Sequence, residues 1–254
     1  MRFLSGLLAV ASLHIAAPAT AQAPASHDPF AVRLEGYLGG AVVDNGGRTS
    51  AFDGGGAGSA VGLLGPGFLQ LDLFGDYTDF GPDITDVGFG GHLGLVDAQL
   101  GSVALTGGYQ HFEAGPVDLE LWRIGGEGEL YLDMFTLGVQ AGYLRNGDTE
   151  ADGGYARALI RIYPTDQLKL EGIGGYAELG TDAGVARLLA EYRLAGLGIS
   201  LFARWEGTFM SSADSHAAVA GVRYYWDRDL SLREAERVYF RDACTHLNVA
   251  ARIC

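Results

Sequence analysis

Proline and cysteine are scarce in this 254-residue chain, at 7 and 2 copies. Both cysteines, Cys244 and Cys254, fall near the C-terminal end, so no disulfide framework runs through the body. Basic residues are few as well. The 17 Lys and Arg stand against 31 Asp and Glu, for a net charge of -14 and a pI near 4.7, which excludes the basic footprint that nucleic acid requires. Beyond the extreme N-terminus no uninterrupted apolar run of about 18 residues occurs, so no transmembrane helix is expected. His and Cys show no metal-ligand spacing, and neither a metal nor a cofactor is expected. What is abundant is glycine, at 40 copies, with a mean hydropathy of +0.13 and only 19% charged residues. That composition argues against both a helical protein and a disordered one.

The first residues carry the pattern of a secretory signal. Arg2 precedes an apolar core, Phe3 to Ala17, and Ala19-Thr20-Ala21 or Ala21-Gln22-Ala23 supplies the small-residue cleavage site. The expected division is a signal peptide over 1–23, a short N-terminal segment over 24–31, a body over 32–226 and a tail over 227–254.

Within the body, segments of about 9 to 13 residues alternate apolar and polar side chains and are broken by Gly, Pro, Asp and Asn. Twelve are expected, over 32–43, 57–65, 67–78, 85–97, 100–112, 119–132, 134–146, 153–163, 168–178, 184–194, 198–209 and 216–226. Each can cross a bilayer core when tilted. Leu69, Leu71, Leu73 and Tyr77 share one face of the third segment, while Gln70, Asp72, Phe74 and Asp76 share the other. An antiparallel up-and-down transmembrane barrel places the first face in lipid and the second in the lumen.

Two patterns favour that barrel over a soluble sandwich. Tyr77, Tyr109, Tyr143, Tyr176 and Phe209 fall at one height on five successive outward-running strands, as an interfacial girdle would. Charge is sorted as well. The expected lumen lining comprises the bases Arg33, Arg123, Arg157, Arg161, Lys169, Arg187, Arg193, Arg204 and Arg223, and the acids Glu35, Asp72, Asp76, Glu127, Glu129, Glu171, Glu191 and Glu206. These nearly cancel. Acids such as Asp44, Asp53, Asp79, Asp83, Asp86, Asp148 and Asp182 are assigned instead to the loops of one mouth, the extracellular one if the termini are periplasmic.

The last strand, Gly221-Val222-Arg223-Tyr224-Tyr225-Trp226, resembles the assembly signal of Gram-negative outer-membrane β-barrels, with large apolar or aromatic residues three and five places after a glycine. It departs from that signal in having Val219 where a polar residue is expected, and in being followed by a tail. The resemblance implies insertion by the barrel assembly machinery after Sec-type export, residence in the outer membrane, and contact with its lipid and lipopolysaccharide. It implies no particular activity, because the motif is shared by barrels of unrelated function.

In the tail the apolar period changes. Ser231 and Glu234 form a capping box, and Leu232, Ala235, Tyr239 and Ala243 share a helical stripe, which predicts a short amphipathic helix on the periplasmic side. The helix is read either as a solvated tail or as a plug at the periplasmic mouth. Whether Cys244 and Cys254 pair is left open.

Other motifs carry less. His216, beside Ser211, Ser212, Asp214 and Ser215, lies at the height where outer-membrane phospholipases and lipid A deacylases place a Ser/His/acid set, but the segment does not reproduce such a motif. It is a weak catalytic candidate. His92 reads as a hydrogen-bonded lumen filler. The run Gly54-Gly55-Gly56-Ala57-Gly58 lacks a following Lys and reads as a flexible loop, not a phosphate site. Three functions remain: a narrow channel for small solutes with an acidic mouth, a filled barrel that serves as a structural anchor, and an outer-leaflet lipid hydrolase or deacylase.

Overall fold

A computed structural model describes residues 28–44, 48–79, 83–211 and 213–242. The expected signal peptide, Ala243 of the expected helical stripe and both cysteines lie outside the described residues. Twelve strands close into one barrel: β1 Phe30–Asp44, β2 Arg48–Leu64, β3 Gly67–Asp79, β4 Asp83–Asp97, β5 Gly101–Ala114, β6 Val117–Leu132, β7 Phe135–Asn146, β8 Asp152–Thr165, β9 Leu168–Glu178, β10 Asp182–Leu194, β11 Ile199–Met210 and β12 Asp214–Tyr225. Every strand pairs antiparallel with its sequence neighbour, and β1 with β12 completes the ring. Among the described residues a single helix, α1 Leu232–Val238, follows β12. Among the described residues no helix is long and apolar enough to cross a membrane.

Alternation decides the two faces. Leu69, Leu71, Leu73, Leu105, Ile124, Leu188 and Leu201 are exposed on the outside, whereas Gln70, Asp72, Glu191, Ser200 and Arg204 on the same or adjacent strands are buried within. This inversion of the usual burial order is what a barrel surrounded by hydrocarbon requires. At the mouth far from the termini, the girdle tyrosines are pinned to the start of the following strand. Tyr77 donates to Asp83 at 2.8 Å, Tyr143 to Asp152 at 3.0 Å and Tyr176 to Asp182 at 2.6 Å.

One segment corrects the sequence reading. Gly54, Gly55 and Gly56 lie inside β2, which is far longer than expected. A side chain on Gly55 would meet the Tyr37 hydroxyl at 2.5 Å, so the glycine is there to let that ring lie flat against the wall. Tyr155 lies over Gly125 and Gly142 in the same manner, and Phe202 over Gly221. At these positions glycine is a packing partner for an inward-pointing aromatic ring.

Leu71→Arg or Leu201→Arg, both mid-strand and outward, should lower stability in lipid by about 2–4 kcal/mol. Unfolding by denaturant in vesicles, followed on a gel by heat-modifiable migration, measures this. A cost no greater than that of Leu→Ala at the same site would contradict the assignment of faces.

Candidate functional site: a plugged and charge-sorted lumen

The chain turns back after β12. Arg193 on β10 donates to the Asp227 carbonyl, Ser231 caps α1, and the amides of Leu232 and Arg233 donate to the Asp166 carbonyl in the β8–β9 turn at 2.9 and 3.4 Å. The helix thus starts at the rim of the mouth that carries both termini. Its apolar stripe faces the barrel: Leu232, Ala235, Val238, Tyr239 and Phe240 pack against Ala31, Val61, Phe68 and Tyr225. The described part of the tail, to Asp242, is docked in the mouth, with a burial that a solvated helix would lack.

From the rim the segment runs inward. Glu236 lies 3.1 Å from Lys169 Nζ and 3.3 Å from Arg33 Nη1, and accepts from the Tyr225 hydroxyl at 3.2 Å. Deeper in, Asp242 meets Arg187 at 2.5 Å and Arg157 at 2.8 Å. On the opposite side Arg241 contacts Glu129 at 3.3 Å, donates to the Tyr131 hydroxyl at 2.8 Å and stacks over the Phe68 ring. Gln70 closes the contact by accepting from the Arg241 amide at 2.8 Å.

These contacts follow a division of the lumen that near-cancellation of its total charge conceals. The wall formed by β8 to β12 and β1 holds Arg157, Arg161, Lys169, Arg187, Arg193, Arg204, Arg223 and Arg33 against Glu171, Glu191, Glu206 and Glu35. The wall formed by β2 to β7 holds Asp53, Asp72, Asp76, Asp86, Glu127 and Glu129 against Arg123, with His92 between Asp72 at 3.1 Å and Glu127 at 2.7 Å. One wall is basic and the other acidic. The tail is sorted to match, with Glu236 and Asp242 on the basic side and Arg241 on the acidic side.

All seventeen residues expected in the lumen point inward, and much of the basic wall is internally paired. Arg161 bridges Glu129 and Glu171 at 2.8 Å each, Arg204 contacts Glu35 at 3.2 Å and Glu206 at 3.0 Å, and Arg223 pairs with both Glu35 and Glu191. Asp53 and Asp86, assigned by sequence to the far-mouth loops, are buried lumen residues. Asp53 accepts from Thr78 at 3.1 Å and Asp86 from Gln110 at 2.9 Å. Their side is given by alternation with Ser59 and Val61 and with His92; for Asp53 that signal is hidden by reading its segment as a loop, whereas Asp86 falls within the expected strand 85–97, where the alternation with His92 already points it inward. Two interior cavities, one beside Phe74 and Arg123 and one beside Glu127 and Asp242, measure about 10 Å³ each, about the size of one water. Two larger concavities, of about 770 Å³, lie mainly over outward Ala and Gly residues on the lipid-facing surface, away from the tail.

Electrostatics favours the docked carboxylates in their charged form. Burial alone would raise the Glu236 pKa, but Lys169, Arg161 and Arg33 more than offset it and hold it below the ordinary value. At Asp242 burial likewise opposes ionisation, and Arg187 and Arg157 reverse it.

No catalytic set forms around His216. Its ring stacks on Trp205 at 5.7 Å and meets Phe209 edge-on on the outer face, whereas Ser215 points into the barrel; Ser212 lies outside the described residues. His111 contacts Asp118 at 3.3 Å on the outer face. Among the described residues no cluster of His, Cys, Asp and Glu is arranged to hold a metal ion.

No protein-family model matches this chain, and no curated protein matches it. Solved structures do. The NanC porin aligns with 74% of this chain and 98% of its own at 7% identity, TM-score 0.56. An outer-membrane channel from Pseudomonas putida F1 aligns with 77% of this chain and 94% of its own at 8% identity, TM-score 0.55. The translocator domain of the autotransporter NalP from Neisseria meningitidis aligns with 80% and 90% at 12% identity, TM-score 0.54. At such identities the likeness is one of fold, and the fold is that of outer-membrane β-barrels.

Glu236→Gln with Asp242→Asn should loosen the plug while leaving the strands intact. Removing one partner of a buried pair costs about 3–5 kcal/mol, so hydrogen exchange over Leu232–Asp242 should rise by at least about 100-fold. Unchanged protection there would contradict ionic docking. For the native chain the folded-state pKa values of both carboxylates are depressed, so their contribution is complete above about pH 4.5 and is lost as pH falls through those lower values. Exchange corrected for its intrinsic pH dependence should therefore increase in the tail below about pH 4 and not between pH 5 and 7.

Proposed function

We propose that the protein is a narrow channel of the outer membrane, with its termini in the periplasm, and that its resting state is closed by its own C-terminal segment. The observation that carries this reading is the plug: Leu232–Asp242 occupies the terminal mouth through non-covalent contacts, an apolar cluster together with ion pairs. Such contacts are reversible. A polar, charge-bearing interior supports passage of small polar solutes once the segment withdraws, because carboxylates and guanidinium groups can replace part of a solute's hydration. The porin and the channel among the structural neighbours support the same reading. At the far mouth the exposed acids, among them Asp44, Asp79, Asp83, Asp148 and Asp182, would concentrate cations over about 8 Å at physiological ionic strength.

A second reading is favoured by the small interior cavities and by the paired basic wall. On that reading the lumen is permanently filled and the barrel is an anchor in lipid and lipopolysaccharide.

Reconstitution in planar bilayers separates the two. The wild-type chain should give rare openings, and the full-length Glu236→Gln/Asp242→Asn chain frequent, modestly cation-preferring steps whose preference fades in high salt. A variant that folds by heat-modifiable migration and never conducts would overturn the channel and leave the anchor.

A further inference from the structure

The tail is the only segment of the described chain that enters the lumen from outside the strands, and its charges are laid out as a guest's would be. Two carboxylates face bases, and a guanidinium faces an acid across the space. Glu236 and Arg241 are almost wholly buried, so their charges are compensated by the walls and not by solvent. Lys169, Arg33, Arg157 and Arg187 present a basic surface at two depths, and Glu129 with the Tyr131 hydroxyl presents an acceptor surface opposite.

We propose that the space between these walls is a binding site for zwitterionic solutes, molecules that carry a carboxylate and a cationic nitrogen on one flexible chain, and that the tail is its built-in occupant. The inference rests on the channel reading for its biological use but not for its test, since binding and conduction are measured apart. The chemistry discriminates among solute classes. A lone anion satisfies the basic wall and leaves Glu129 with Arg161 but without the tail's guanidinium, while a lone cation does the reverse and leaves Lys169 with Glu191 and Arg187 with Glu171 but without the tail's carboxylates. Stripping a buried ion of one of its partners is unfavourable, so each would be a poorer substitute for the tail. A zwitterion can engage both walls at once. Its approach orders the dipole across the barrel, and displacement of the tail would couple solute arrival to opening of the mouth.

Competition tests this on the full-length protein in nanodiscs, with 6-aminohexanoate as the zwitterion and hexanoate and hexylammonium as single-charge controls. Hydrogen exchange over Leu232–Asp242 should rise several-fold with millimolar 6-aminohexanoate and change little with either control. In the Glu236→Gln/Asp242→Asn chain the zwitterion should instead slow exchange of the now exposed mouth strands at Lys169 and Arg187. An equal response to all three compounds, or none to the zwitterion, overturns the site. A response to hexanoate alone replaces it with a simple anion site and also overturns the proposal. If the zwitterion acts as expected but no variant conducts, the site stands and the channel reading falls.

Discussion

The ion pairs that Glu236 and Asp242 make with Lys169, Arg33, Arg187 and Arg157 are the contacts on which the rest of the lumen depends. Burying a charge is costly unless another charge or several hydrogen bonds meet it. The basic wall carries more cations than its own Glu35, Glu171, Glu191 and Glu206 can pair, and the tail supplies carboxylates at two depths. In return the wall makes it possible for Glu236 to sit at 2% exposure on a helix of seven residues, too short to be stable by itself. The plug is poorly satisfied alone, and the wall, already partly paired within itself, gains further carboxylates from it.

That mutual dependence sits inside a barrel whose outer face answers to a different constraint. Leu71, Ile124, Leu188 and Leu201 meet hydrocarbon, and the strands can place charges only inward or at the rims. Sorting bases to β8–β1 and acids to β2–β7 follows from no requirement of the membrane. It gives the lumen a transverse polarity, which the internal pairs Arg161–Glu171 and His92–Glu127 reduce without removing. The glycines serve the same economy of space: Gly55 and Gly125 admit Tyr37 and Tyr155 flat against the wall, leaving the centre for charged side chains and the tail.

Much of this was legible from alternation alone. The period of two placed Asp72, Glu129, Arg187 and Arg223 inward because a strand offers only two sides, and the capping box at Ser231 and Glu234 located α1. β2 was misread over its first half because three successive glycines look like a breaker when the aromatic ring they accommodate is on another strand. Asp53 was misplaced with it, as a loop acid, while Asp86 was assigned to a loop although it lies within the expected strand 85–97. The plug was visible as a stripe of Leu232, Ala235 and Tyr239, but its destination was not, since the partners of Glu236 and Asp242 lie dozens of residues away or more. Charge sorting was hidden for a different reason: summing the lumen charges discards which strands carry them, and ring closure is needed only to bring Arg33 on β1 beside the bases of β8 to β12.

The tail is held by the wall's charges and not merely by its apolar stripe. A double-mutant cycle on Arg187→Gln and Asp242→Asn, read as protection of Leu232–Asp242 from hydrogen exchange in the reconstituted full-length protein, tests it most directly. The two single changes should each release the tail, and the double change should be far less than additive, with a coupling of about 1–3 kcal/mol. Strictly additive effects would contradict the claim and leave the helix docked by hydrophobic contact alone.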